Sequence, residues 1–125
     1  MTLVLDAGAL LAYERGDRTV QAHLERASRT GVGVRTTTSV VAQVWRNGIR
    51  QARVALLLRG VAEVEFDRAQ ARRVGVLIGA ARCSDVVDGS IVDVAMDGDE
   101  ILTSDPDDIS TLAMASGKTL IVTRI

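Results

Sequence analysis

The sequence predicts an α/β protein: a three-layer α/β/α sandwich with a central parallel sheet of five strands. Short runs of aliphatic and β-branched residues alternate along the chain with longer segments of helical periodicity. The first and the fourth of these runs are each closely followed by an aspartate. The 125 residues suffice for one domain with a buried core but not for two, so we expect residues 1–125 to form one domain.

Five segments have the composition of buried or half-buried strands. The first is a continuous apolar run bounded by Asp6, which suits a strand covered on both faces of a parallel sheet. The others are rich in β-branched residues or alternate between apolar and polar ones. The predicted strands are Thr2–Leu5, Val32–Thr37, Val61–Phe66, Glu100–Thr103 and Leu120–Thr123. Because helical segments separate them, the strands are expected to be parallel, with helices on both faces.

The segments between these strands carry helix signals. Ser39, Asp67 and Asp85 are expected to cap helices, and Gly31 and Gly117 to end them. The predicted helices are Ala9–Tyr13, Arg18–Arg29, Ser39–Arg46, Gln51–Leu58, Arg68–Ala81, Asp85–Met96 and Asp107–Ala115.

Composition excludes several classes of protein. Aromatic residues make up 2% of the chain and the net charge is −1, so neither base-stacking platforms nor a global basic field is available for nucleic acid. The core must be aliphatic, and we expect Trp45 to anchor that core or a dimer interface. One cysteine and one histidine exclude a disulfide framework and a zinc site of several Cys and His ligands. With no membrane-spanning run and no signal peptide, we expect a cytoplasmic protein without a membrane partner.

Acidic residues follow two predicted strands and begin one predicted helix. Asp6 follows the first strand, Asp105 follows the fourth, and Asp88 lies one helical turn after Asp85. Sites in open parallel sheets form beyond the carboxyl ends of the strands. If the first and fourth strands are neighbours, Asp6, Asp88 and Asp105 can converge, and a divalent cation would relieve their repulsion. The alternative interpretation is that these aspartates are helix caps and turn residues, as we expect for Asp85 and Asp107.

The acids occur in three short motifs: Leu3-Val4-Leu5-Asp6, Asp88 with Ile91 and Ala95, and Thr103-Ser104-Asp105 with Asp107. In this order and spacing they resemble the acidic motifs of PIN-domain nucleases, in particular VapC-type toxins of bacterial toxin–antitoxin pairs. The resemblance covers nearly the whole chain. It implies a PIN-like fold, Mg²⁺- or Mn²⁺-dependent endoribonuclease activity, a homodimer, and inhibition by a small antitoxin protein.

The resemblance also implies roles for individual residues. Asp6, Asp88 and Asp105 would be the catalytic metal ligands. Asp107 would add a further contact, and Thr103 would orient the site through its hydroxyl group.

Two positions depart from the family pattern. The family usually has a glutamate on the helix after the second strand, four residues after Ser or Thr, whereas here Ser39 is followed by Gln43. An amide oxygen can touch a cation but adds no charge, so Gln43 would be a weakened fourth position. The family also favours Ser or Thr directly after the first aspartate, where this chain has Ala7.

Three functions remain open from the sequence. The first is a metal-dependent endoribonuclease that cleaves single-stranded or structured RNA. The second is a PIN-fold binding module that holds an antitoxin or RNA without cleaving it, as Gln43 would allow. The third is a phospho-acceptor regulatory domain, although that class has a lysine after its last strand and here Lys118 precedes it.

A short arginine series is a candidate contact surface for RNA or an antitoxin. Arg46, Arg50 and Arg53 fall near helical spacing, interrupted by Gly48. The alternative interpretation is a solvated helix surface.

Overall fold

The computed structural model describes all residues from Met1 to Ile125. The elements follow the chain as β1 (Thr2–Leu5), α1 (Ala7–Glu14), α2 (Arg18–Thr30), β2 (Gly33–Thr37), α3 (Thr38–Val44), α4 (Ala52–Leu58), β3 (Ala62–Val64), α5 (Arg68–Ala81), α6 (Val86–Val94), β4 (Glu100–Thr103), α7 (Pro106–Ser116) and β5 (Ile121–Arg124).

The sheet has five parallel strands in the order β3-β2-β1-β4-β5. In the central strand, Leu3 lies beside Val34 of β2 on one side and Glu100 of β4 on the other. The chain moves outward from β1 to β3 and then returns to the opposite side of β1. The strand order therefore reverses between β1 and β4, the position at which ligands bind in open α/β sheets. The predicted fold class is confirmed.

Helices surround this sheet in two groups. Helix α1 packs against α2, α3 and α4, while α5, α6 and α7 pack against one another. The core between helices and sheet is aliphatic, as predicted: Leu5 of β1, Leu102 of β4 and Ile91 of α6 are fully buried. Trp45 is not a core residue, because 40% of its surface is exposed beside α3. None of the helices is both long and apolar enough to cross a membrane.

Helix α3 differs from the prediction at both ends. Thr37, not Ser39, is the cap, because its Oγ1 accepts a hydrogen bond from the Val40 N–H at 3.3 Å. The helix ends at Val44 because the buried side-chain carboxamide of Gln51 hydrogen-bonds to the backbone groups that would otherwise continue the helix. Its Oε1 accepts from the N–H groups of Arg46 (2.8 Å) and Asn47 (2.9 Å), and its Nε2 donates to the Val44 carbonyl (3.0 Å).

The remaining differences are smaller. Strand β3 covers three residues instead of the predicted six, and it forms one edge of the sheet. Helix α6 ends at Val94, where the Lys118 ammonium group donates to the carbonyls of Val92, Asp93 and Ala95 at 2.7–2.9 Å. Helix α7 begins at Pro106, so Asp105, and not Asp107, occupies its N-cap position.

Candidate active site

Asp6 lies at the carboxyl end of the central strand, where β1 turns directly into α1. Its carboxylate is 3% exposed and caps α1 by accepting a hydrogen bond from the Ala9 N–H at 2.8 Å. Burial raises the pKa of Asp6, and hydrogen bonds from Thr103, Ala9, Ser104 and Gly8 oppose that rise. A buried carboxylate with this many donors is held in one orientation.

Thr103 connects the ends of β1 and β4. Its hydroxyl group accepts a hydrogen bond from the Asp105 N–H at 2.8 Å and also acts to lower the pKa of Asp6. Thr103 thus holds the Asp105 backbone at the end of β4.

Gly8 allows the β4–α7 loop to approach the start of α1. A Cβ atom at this position would lie 2.6 Å from the Ser104 Cβ and 3.3 Å from the Asp6 Oδ1. Any side chain at position 8 would therefore push Ser104 away from Asp6. Ala7 and Gly8 leave the start of α1 without a hydroxyl group, and Ser104 brings one in from the facing loop.

A second set of carboxylates gathers beside Asp6. Oxygen atoms of Asp88, Asp105 and Asp108 all lie within 4.8 Å of one another. Asp88 is in the first turn of α6, whose cap Asp85 accepts from the Asp88 N–H at 2.9 Å. Asp105 makes no capping bond with its own helix, so its carboxylate is free to face the other two. We refer to these three residues as the carboxylate group.

The charges in this region act on one another. Partial burial is the largest of several causes that together raise the pKa of Asp88 to about 7; the others are the charges of Asp85, Asp6, Asp105 and Asp108. A hydrogen bond with Asp105 and its charge likewise raise the pKa of Asp108. Of the three acids predicted from the sequence, the structure brings Asp88 and Asp105 together, while Asp6 lies outside the carboxylate group and acts on Asp88 through its charge.

Asp108 is the site residue that the sequence analysis missed. Asp107 was expected to contribute, but the carboxylate group contains Asp108 instead. The signal was present: Asp105 and Asp108 are three residues apart at a helix start, which places them on one face.

The carboxylate group opens onto a cleft of about 460 Å³, here called the acidic cleft. It is lined by Arg82, Cys83, Ser84, Asp85, Asp88, Asp108 and Leu112. The donors that converge here are carboxylate oxygens, which are the ligands that Mg²⁺ and Mn²⁺ prefer. The residues present therefore fit a hard divalent cation better than zinc.

Helix α3 is tied to α6 by a small hydroxyl cluster. Ser90 Oγ lies 2.7 Å from Ser39 Oγ and 2.9 Å from Thr37 Oγ1, and it donates to the Val87 carbonyl at 2.6 Å. Gln43, the predicted weak fourth position, is exposed one helical turn beyond Ser39. It is not joined to the carboxylate group by a hydrogen bond.

The arginine series does not form one helical face, so that part of the prediction is wrong. The loop held by Gln51 separates α3 from α4, leaving Arg46 and Arg50 outside any helix. The Arg46 guanidinium donates to the Ala42 and Trp45 carbonyls, at 3.1 and 2.8 Å. Arg53 lies on α4 and reaches the Glu14 carbonyl at 3.4 Å.

Comparison with known proteins agrees with this architecture. No family model matches the chain, and no curated protein matches it. Among solved structures, one chain of "VapBC2 from Rickettsia felis bound to a DNA fragment from their promoter" superposes with a TM-score of 0.73 at 11% identity. The match covers 100% of this chain and 99% of that one. The protein has the α/β/α fold of VapC-type PIN domains.

Proposed function

We propose that the protein is a metal-dependent endoribonuclease and the toxin of a toxin–antitoxin pair. The observation that carries the proposal is the convergence of Asp88, Asp105 and Asp108 near the reversal point of a PIN-type sheet, where Asp6 ends the central strand and its charge acts on Asp88. Acids at this position without a basic partner suit a cation that faces a phosphodiester.

Asp88, Asp105 and Asp108 would hold the cation, together with Asp6 at the end of β1. A bound Mg²⁺ or Mn²⁺ ion would supply an activated water and stabilise negative charge on the phosphate. The chain's own contribution is positioning. Thr103 holds the Asp105 backbone in place, and Asp85 fixes the turn that carries Asp88.

The partners follow from the same proposal. The superposed structure is described as a VapBC2 complex, which supports an antitoxin protein as the partner of this chain. We propose RNA as the substrate, a homodimer as the assembly and the cytoplasm as the location. We also propose that residues 1–125 act as one PIN-like domain.

The test is RNA cleavage by purified, antitoxin-free protein with added Mg²⁺ or Mn²⁺. We expect cleavage by the parent and by Glu25→Gln, an exposed carboxylate on α2 that serves as the matched control. Asp88→Asn should lower the rate by about a hundredfold or more, because a cation site loses a charged ligand. A parent that cleaves no RNA with either metal would contradict the proposal.

A second candidate, a binding module without cleavage, is favoured by Gln43. In the parent, α3 offers an uncharged amide where a further carboxylate would strengthen cation binding. The deciding variant is Gln43→Glu, compared with Gln43→Met for shape. If Gln43→Glu cleaves RNA and the parent does not, the parent is better described as a binding module. If the parent and Gln43→Glu cleave RNA at equal rates, the binding-module hypothesis is excluded.

A further inference from the structure

Arg82 has a backbone conformation that this protein otherwise reserves for glycine. Four glycines have positive φ, and Arg82, with φ 56° and ψ 38°, is the single residue of another type that does. It ends α5 in a Schellman turn: the Arg82 N–H donates to the Gly79 carbonyl at 3.3 Å, and the Cys83 N–H donates to the Ile78 carbonyl at 3.0 Å. An arginine at this left-handed position is strained, whereas a glycine would not be.

Arg82 is also the single basic residue that lines the acidic cleft. Asp85, Asp88 and Asp108 line the same cleft, yet Arg82 pairs with none of them. The ion pairs of this chain are instead formed by Arg26, Arg35 and Arg73. Arg82 therefore has no ion-pair partner, although it lines the same cleft as these carboxylates.

This arrangement matters because of the charge of the substrate. A divalent cation neutralises only part of a group of three or four carboxylates, so an RNA backbone entering the cleft would still meet net negative charge. A planar guanidinium is well suited to bind a phosphate through two parallel hydrogen bonds.

We infer that Arg82 binds a backbone phosphate of single-stranded RNA in the acidic cleft, a role that rests on the proposed function. The strained conformation projects the side chain at the cleft, which a glycine could not do. Strain at a residue without a structural partner is a recognised feature of ligand-binding positions.

A competing explanation is purely structural, because a cation at a helix C-terminus interacts well with the helix dipole. Three variants separate the two. Arg82→Gly relieves the strain, Arg82→Asn tolerates the left-handed backbone without charge, and Arg82→Lys keeps the charge. Arg72→Gln, an exposed arginine of the same helix that donates to the Arg68 carbonyl, is the control.

The readout is binding of a short, labelled single-stranded RNA in Ca²⁺, measured by fluorescence anisotropy over a range of salt concentrations. We expect Arg82→Gly and Arg82→Asn to bind about tenfold more weakly, the factor for one net charge-assisted hydrogen bond. The slope of log affinity against log salt should fall in magnitude by about 0.7, the value for one lost phosphate contact on a single strand. Arg82→Lys keeps the charge but not the paired hydrogen bonds, so its affinity should lie between those of the parent and Arg82→Asn with the parent's salt slope, while Arg72→Gln should stay close to the parent. Arg82→Gly should melt at a higher temperature than the parent while binding more weakly, which a structural role would not produce.

The inference is overturned if the parent does not bind RNA or if Arg82→Asn binds with the parent's affinity and salt slope. It is also overturned if Arg72→Gln loses as much RNA affinity as Arg82→Asn does. Its failure is distinguishable from failure of the proposed function. If Arg82→Asn cleaves RNA as fast as the parent does, only the proposed phosphate contact is contradicted. If the parent binds RNA through Arg82 but never cleaves it, the nuclease proposal is contradicted and the phosphate contact still stands.

Discussion

The acidic residues at the two ends of the parallel sheet differ in whether they have hydrogen-bond donors or cations as partners. At the end where the strands begin, Asp99 accepts hydrogen bonds from the Thr2 and Met96 N–H groups at 2.7 and 2.8 Å and lies 3.8 Å from the Arg35 guanidinium. Beside it, Glu100 accepts from the Thr123 hydroxyl at 2.7 Å and lies 3.8 Å from Arg26. Each acid there has a donor or a cation of its own.

At the opposite end, the carboxylates face one another. The acids of the carboxylate group meet without an arginine or lysine between them, and the pKa values of Asp88 and Asp108 are raised. Crowded carboxylates without a cationic partner reduce the stability of a fold, and such groups are concentrated at ligand-binding sites. The comparison therefore separates the acids that have partners within the fold from the carboxylates that we propose as cation ligands.

The largest change in stability is expected at the end where the strands begin, at which the acids have partners. Asp99→Ala leaves the partly buried N–H groups of Thr2 and Met96 without their acceptor and Arg35 without its carboxylate, so we expect the free energy of unfolding to fall by about 3 kcal/mol. Urea denaturation measures that change. Cleavage per folded molecule should remain at the parent's level; a loss of activity larger than the unfolded fraction would break the distinction between the two ends.

The next effect concerns the close contact at Gly8. Gly8→Ala should destabilise the fold by about 2 kcal/mol, because the new methyl group displaces Ser104. Ser104→Gly in the same chain should restore most of that stability, as thermal melting of the double variant would show.

Gly75→Ala on the exposed side of α5 is the matched control for that experiment. Nothing lies within 4 Å of the added methyl group, so it should raise stability by about 0.5–1 kcal/mol. If Gly8→Ala behaves like Gly75→Ala, the packing at the start of α1 is looser than described.

A further expected effect is on the pH dependence of stability. The folded-state pKa of Asp88 is about 7, against 3.8 for an unperturbed carboxyl group, so the folded state binds this proton more tightly than the unfolded state. Its contribution is fully present below pH 3.8 and is lost as the pH rises through about 7. The melting temperature of metal-free protein should therefore fall across that range relative to Asp88→Asn.

Added Mg²⁺ should reduce that fall, because the cation replaces the proton among the carboxylates. A difference curve between parent and Asp88→Asn that is flat with pH would show that Asp88 is not crowded in solution.

The parts of this architecture that are local in sequence were predictable. The aliphatic run of β1 and the turn-forming residues around β4 placed Asp6 and Asp105 at strand ends, and the reversal of strand order then brought those ends together. Asp88 followed from its position one turn after a capping aspartate.

The parts that depend on distant side chains were not predictable. Helix α3 ends where it does because Gln51, seven residues beyond Val44, replaces the helical hydrogen bonds. Arg82 gave no signal, since a left-handed backbone is expected at glycine or asparagine. Asp108, in contrast, could have been predicted, because it lies three residues after Asp105 at a helix start.

The chain contains one lysine, and that lysine has a practical consequence. Its ammonium group donates to three carbonyl oxygens at the end of α6, and Lys118 precedes β5 along the chain. This lysine thus lies on the side of the sheet remote from the carboxylates. Coupling the protein to a sensor surface through the Lys118 amine would leave the acidic cleft facing the solution.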